Sequence, residues 1–269
     1  IPEAVEGTAL KPTSFIPLIS ESIKTTLNLT PDSRLMGLSW KSNDVIRGIR
    51  KHEGDLTVWG DPVNLGHLFN MLYKKGTTTG SATGYIHPFT ADSPDSYTIE
   101  ISRGNYAQRF FGVKADQLRL SFVDGKLQAT VSIKAMGQVS VSSVKTALSG
   151  SITSLKLSNA YDINPTTGLV IGDVISVKLD SGAWQDLTIT GITDGETIAF
   201  SSTSITAAAG NAVVLKPQTP SYTGLTTPLY LGNALAGVGA DTTAANTAAA
   251  TKATATPFYD FVLTLKNNL

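Results

Sequence analysis

The sequence predicts a mainly β fold, a β-sandwich or barrel with one flanking α-helix, into which a small all-β module is inserted. Three observations carry that expectation. Apolar and polar residues alternate with period two along most of residues 97–134, as half-buried strands require. Only the segment at about 62–75 repeats its apolar residues with helical period. From 141 to 222 a second set of short apolar runs has its own turn spacing, so 1–140 and 223–269 read as one domain and 141–222 as an insertion.

Residues 1–35 read as an extended arm, because Pro2, Pro12, Pro17 and Pro31 each hold their predecessor in an extended conformation. Phe15, Ile16, Leu18 and Ile19 would anchor it on its own domain or on a neighbouring subunit. The segment 33–53, with Leu35, Leu38, Trp40, Ile46 and Ile49, is too apolar for a free loop and too irregular for a core strand. Together with Arg47 and Arg50 these residues are candidates for contacts between subunits. The basic run Arg47, Arg50, Lys51, His52 otherwise reads as a solvated loop balanced by Asp44, Glu53 and Asp55.

Asp55-Leu-Thr-Val-Trp59 alternates as a strand, with Trp59 either in the core or at an interface. Asp61-Pro62 then has the form of a helix N-cap followed by proline. Leu65, Leu68, Phe69, Leu72 and Tyr73 form one stripe, and Lys74-Lys75-Gly76 reads as a stop signal. Residues 76–96 read as a Gly/Thr/Ser loop. Strands follow at 97–102, 109–113, 117–122 and 127–134, the last two joined by the hairpin dipeptide Asp124-Gly125. In the module, strands are expected around Leu155, 170–179, 187–192, 198–200 and 213–215. An Ala/Thr/Gly-rich stretch at 234–256 reads as a linker, and 258–265 as a last strand. The chain opens on Ile1 rather than Met and stops directly after that strand, so the protein is expected to continue at both ends.

Charged residues make up 16% of the 269, below the roughly 25% of an ordinary domain, and formal net charge is zero. A nucleic-acid reader needs a basic footprint, which is missing overall. There are no cysteines, hence no disulfides or thiolate metal sites. No apolar run approaches the roughly 18 residues of a spanning helix. No Gly-x-Ser-x-Gly elbow, His-Glu-x-x-His or P-loop is present, and the glycine-rich 76–84 lacks the lysine of a phosphate cradle. His52, His67 and His87 are scattered, and Asn28-Leu-Thr30 is a sequon too short to carry meaning by itself. Neither catalytic residues nor a metal or cofactor site is expected.

A series of motifs, in order, resembles the tail tube (major tail) proteins of siphophages. They begin with Glu6-Gly-Thr8, Phe15-Ile-Pro-Leu18 and Ser20-Glu-Ser22 in the arm, then Gly54-Asp-Leu-Thr-Val58 with Asp61-Pro62 and the helix. Tyr97-Thr-Ile-Glu-Ile-Ser-Arg-Gly104, Phe111-Gly-Val-Lys114, Leu118-Arg-Leu-Ser121 and Leu127-Gln-Ala-Thr-Val131 follow, and Phe261-Val-Leu-Thr-Leu-Lys-Asn-Asn-Leu269 closes the series. The resemblance covers about 3–136 and 226–269.

It implies a β-sandwich that assembles with itself into rings of six tube domains, as hexamers or as trimers of doubled domains. Stacked rings would form a virion tail tube, assembled in the host cytoplasm and joined to other tail proteins at its ends. Genomic DNA would pass through the lumen without specific binding, and no membrane is involved. In that frame Gln117, Arg119 and Ser121, with Gln128, Thr130, Ser132 and Lys134, are candidates to line the channel. Glu100 is a candidate to offset their two cations, and the 141–222 module would decorate the tube exterior. The alternatives are a type VI secretion-like tube protein and an adhesive or carbohydrate-binding β-module.

Overall fold

A computed structural model describes residues 2–31, 45–81, 84–139, 141–158, 166–222 and 262–266. The fold is mainly β, with one helix among the described residues. The strands of the first part are β1 (Leu18–Glu21), β2 (Lys24–Pro31), β3 (Val45–Trp59), β4 (Lys74–Lys75), β5 (Thr79–Ser81), β6 (Gly84–Ile86), β7 (Phe89–Thr90), β8 (Tyr97–Ser102), β9 (Ala107–Val123), β10 (Lys126–Ala135) and β11 (Gly137–Val139). Those of the module are β12 (Val141–Ser143), β13 (Leu148–Lys156), β14 (Val174–Lys178), β15 (Trp184–Ile192), β16 (Thr197–Ala207) and β17 (Ala212–Leu215), and β18 (Val262–Lys266) returns to the first part.

Eight antiparallel strands form one curled sheet in which β1 and β2 share one edge of β3, β10 lies between β3 and β9, and β8 and β18 share the far side of β9. The two stretches 109–113 and 117–122, expected as separate strands, are one 17-residue strand. Asp116 is absorbed as a bulge, since Ser132 faces Gln117 while Ile133 faces Ala115. Gly112 bends the same strand at φ +62, where a Cβ would collide with Met136. Asp124 (φ 51) and Gly125 (φ 73) make the hairpin turn with two left-handed residues.

Helix α1 (Pro62–Leu72) covers the apolar face of this sheet. Asp61 caps it, its Oδ1 accepting from the amides of Val63 and Asn64 at 3.0 Å each. Leu65, Leu68, Met71 and Leu72 pack with Leu56, Val58, Leu118, Leu120, Ala129 and Val131. The expected helix end at Lys75 is corrected to Leu72. Asn70 Oδ1 accepts from Lys75 N at 3.0 Å, and Lys74 and Lys75 pair with Thr90 and Phe89 as a short strand, so the lysines leave the helix rather than ending it. Within the expected 76–96 loop, β5 and β6 form a further small hairpin.

The extended arm packs on its own domain. Its second half forms β1 and β2, both paired with β3. The residues before them are held by the buried carboxylate of Glu3, which accepts from Ser96 Oγ (2.7 Å), Thr98 Oγ1 (2.8 Å), Gly112 N (2.8 Å) and Gly7 N (2.9 Å). A buried acid with four donors carries little desolvation penalty and fixes where the arm crosses β8 and β9.

The module's six strands run β12-β17-β14-β15-β16-β13 around their own core of Leu155, Ile175, Val177, Leu187, Ile189, Ile198 and Phe200. Val144 bridges Leu157, and the amides of Ser158 and Lys145 donate to Ser143 and Lys156 at 2.8 Å, so the sheet closes on itself. Closure removes the exposed edges.

Arg109 of β9 joins the two parts. It is fully buried, donates to Glu100 of β8 at 2.7 and 3.0 Å, to both oxygens of Asp173 ahead of β14 at 2.6 and 2.8 Å, and to Gly168 O at 3.1 Å. Burial by itself would lower its pKa, but the hydrogen bonds and charges of Asp173 and Glu100 outweigh that and raise it. Phe111 packs beside the latch, where a Cβ on Gly168 would come within 2.7 Å of its ring. Lys11 Nζ, from the arm, donates to Gly172 O at 2.7 Å.

Arg109→Ala strands two buried carboxylates, and removal of one side of a buried ion pair costs about 3–5 kcal/mol. Urea denaturation of this variant is expected to show a loss of that order; a loss below about 1 kcal/mol would mean that the junction is wetter than described.

Candidate functional site

Gln117, Arg119 and Ser121 stand opposite Ser132, Thr130 and Gln128. With Lys134 they therefore share the sheet face turned away from α1, in keeping with the burial alternation of β10. Thr57 continues the face on β3, its hydroxyl 3.2 Å from that of Thr130. Trp59 lies here and not in the core, half-buried, with Lys126 Nζ 5.4 Å from its ring centroid.

Across β3, β9 and β10 this face carries Lys51, Lys114, Arg119, Lys126 and Lys134 among Glu53, Asp55 and Asp116, and Lys114 Nζ is paired with Glu6 of the arm at 2.9 Å. Lys134 pairs with Asp116 at 3.3 Å, and Asp55 accepts from Ser132 Oγ at 2.6 Å. Glu100, the expected counter-charge, does not contribute. It is held by Arg109 at the module junction, on the other side of the sheet's bend.

The interface candidates fall in the β2–β3 hairpin. Leu35, Leu38 and Trp40 lie outside the described residues. The expected irregular segment is corrected from Val45 onward, where β3 pairs regularly with β2 apart from one bulge; Ile46 and Arg47 stand opposite Thr30 and Leu29. Pairing of β3 with β10 reaches only His52, so among the described residues the hairpin runs past the sandwich with one edge of β3 open. Ile49 is 82% exposed there and Leu29 55% exposed, while Arg50 is half-buried. Exposed apolar side chains beside an open strand edge are features that contact surfaces share.

His52 is corrected from a solvated loop residue to a buried one. It packs edge-on to Phe110 (centroids 6.3 Å apart), and the Thr25 hydroxyl lies 2.8 Å from Nδ1 while donating to Gln138 Oε1. His67 stands edge-on to Tyr97 at 6.5 Å, and His87 Nδ1 is 2.9 Å from Thr78 Oγ1. Among the described residues no three His, Asp or Glu side chains group as a metal site, and no helix is long and apolar enough to cross a membrane.

Sequence reading missed Glu3, Arg109 and Asp173, the buried charges that fix the arm and the module. The one local signal was an arginine beside Phe110-Phe111 in an otherwise apolar strand segment. No protein-family model matches the chain, and no curated protein matches it either.

Burial, and secondarily the nearby Arg50 charge, hold the His52 pKa below its ordinary 6.5. The unfolded chain takes up this proton near 6.5 and the folded protein only at lower pH. This contribution is thus intact above 6.5 and is lost as pH falls through the window down to the folded value. His67, lowered chiefly by burial, adds the same sign. Melting temperatures measured from pH 8 to 5 are expected to fall on the acid side, with a shallower fall in His52→Gln.

Proposed function

We propose that this chain is the structural subunit of a phage tail tube, assembling into stacked rings around a channel for DNA and catalysing no reaction. The observation that carries this reading is the curled eight-stranded sheet. One of its faces is filled by α1, and the other bears polar side chains, in unbroken alternation along β10, with charges of both signs interspersed. Among the described residues the β1/β2 edge is unpaired, while the β8/β18 edge is met at the start of β8 by a bridge between Pro2 and Tyr97 and by the Glu3 amide donating to Ser96 O. Edges of that length favour pairing with another copy, and edge-to-edge closure of curled sheets generates a barrel.

The pairing of Lys114 with Glu6 and of Lys134 with Asp116 fits the same reading. Each phosphate a wall neutralises adds affinity through counterion release, so a conduit has to avoid a net positive lining. In this proposal Gln117, Arg119, Ser121, Gln128, Thr130, Ser132 and Lys134 line the lumen. The β2–β3 hairpin, with Ile49 and Leu29, reaches a neighbouring subunit, and the module sits outside.

Negative-stain microscopy of the purified protein is expected to show rings or short tubes. Dispersed compact particles at every concentration would overturn the reading and favour an adhesive module. Ile49→Asp is expected to reduce ring formation while changing monomer stability by no more than about 0.5 kcal/mol, as exposed substitutions do.

A second test addresses the lumen. Gln128→Lys, Thr130→Lys and Ser132→Lys together add three positive charges to the face of each subunit. Assembled tubes of this variant are expected to retain duplex DNA at low salt and release it as salt rises, whereas native tubes retain none. Equal, salt-insensitive behaviour of both would place this face away from the channel.

A further inference from the structure

We propose that the cleft between the β8–β9 turn and the outward face of the module binds a neutral saccharide. The cleft has a volume of about 530 Å³, within the range of small-ligand sites, and lies at a junction between two cores, where such sites concentrate. Its floor follows from strand alternation. Ile175 and Val177 of β14 point into the module core, so Ser176 points out, flanked across the sheet by Asp186 of β15 and Val214 of β17. Asn105 and Tyr106 of the β8–β9 turn form the opposite wall. The Arg109 latch fixes this spacing, since Asp173 immediately precedes β14.

Trp184 opens β15 and is 50% exposed into this concavity. A pyranose has C–H groups on its faces and hydroxyls around its rim. It is therefore met by a flat aromatic surface with neutral hydrogen-bonding groups at the edge. Trp184 and Tyr106 supply the aromatic surface, and the Asn105 amide and Ser176 hydroxyl supply the edge.

The electrostatics select a neutral ligand. Lys216, the cation lining the cleft, is ion-paired with Asp186, which also accepts from Ser176 Oγ at 2.6 Å, so no uncompensated charge awaits a phosphate or carboxylate. The backbone argues against an extended peptide. β14 is hydrogen-bonded on both sides, by β15 and by β17, and offers no edge to extend. This inference stands independently of whether the chain assembles into tubes.

The purified protein, labelled, is applied to an array of neutral and acidic glycans, and a retained neutral disaccharide is then titrated while indole emission is followed. Binding of neutral glycans with a Kd of about 1 mM is expected, as suits a shallow site worth roughly 4 kcal/mol. Trp184→Ala and Asn105→Ala should weaken it at least tenfold with native melting temperatures, and Trp59→Phe should leave it unchanged. If Trp184→Ala melts early, Trp184→Phe, which keeps an aromatic face, has to retain binding. Retention of no glycan, of acidic glycans only, or binding that survives Trp184→Ala overturns the proposal.

Discussion

Strand β9 serves two sheet regions at once, and the hydrogen bonding of its 17 residues constrains every other element. Its first half lies between β8 and β11 and touches the module, and Ala107 belongs to the module's core. Its second half lies between β10 and β18 and carries Leu118 and Leu120 into the packing under α1. A strand cannot make that change of partners while straight. The bend is taken by Gly112, which accepts φ +62 without strain, and by the bulge at Asp116. Glu3 then locks the bend by accepting the Gly112 amide, which couples the start of the chain to the centre of the sheet.

The same strand supplies Arg109, and the balance of forces there favours orientation over stability. Burying three charges is costly, and an apolar trio of equal volume would hold two cores together at least as well. What the ionic latch adds is directionality. All five guanidinium hydrogens are directed at fixed acceptors on β8, Gly168 and Asp173, so the module has one docking angle. That angle sets the width of the cleft between Tyr106 and Trp184 and keeps the outward face of β14 and β15 opposite the β8–β9 turn.

On the other side of the sheet the chemistry is deliberately weak. Cations and anions are interspersed, most of the remaining positions are hydroxyls and amides, and exposed pairs such as Lys134–Asp116 contribute little to stability. A face of this kind contributes little to folding. The proposed assembly would place it along a path for DNA and leave cohesion between subunits to the sheet edges and to the projecting β2–β3 hairpin.

Local periodicity determined the mainly β class, the alternating faces of β9 and β10, the Asp124-Gly125 hairpin, the Asp61 cap and the separate turn spacing of the module. Each of these depends on neighbours within a few residues, and chain order alone specifies them. The helix end, the pairing of 45–53 with β2, the union of two apparent strands into β9 and the burial of His52 were decided by partners distant in sequence. Lys74 leaves the helix because Thr90 pairs with it, and Val45 is a strand because Pro31 lies beside it. The junction was least legible of all. Glu100, Arg109 and Asp173 look like ordinary surface charges along the chain, and only the folded arrangement removes water from all three and makes each necessary to the others.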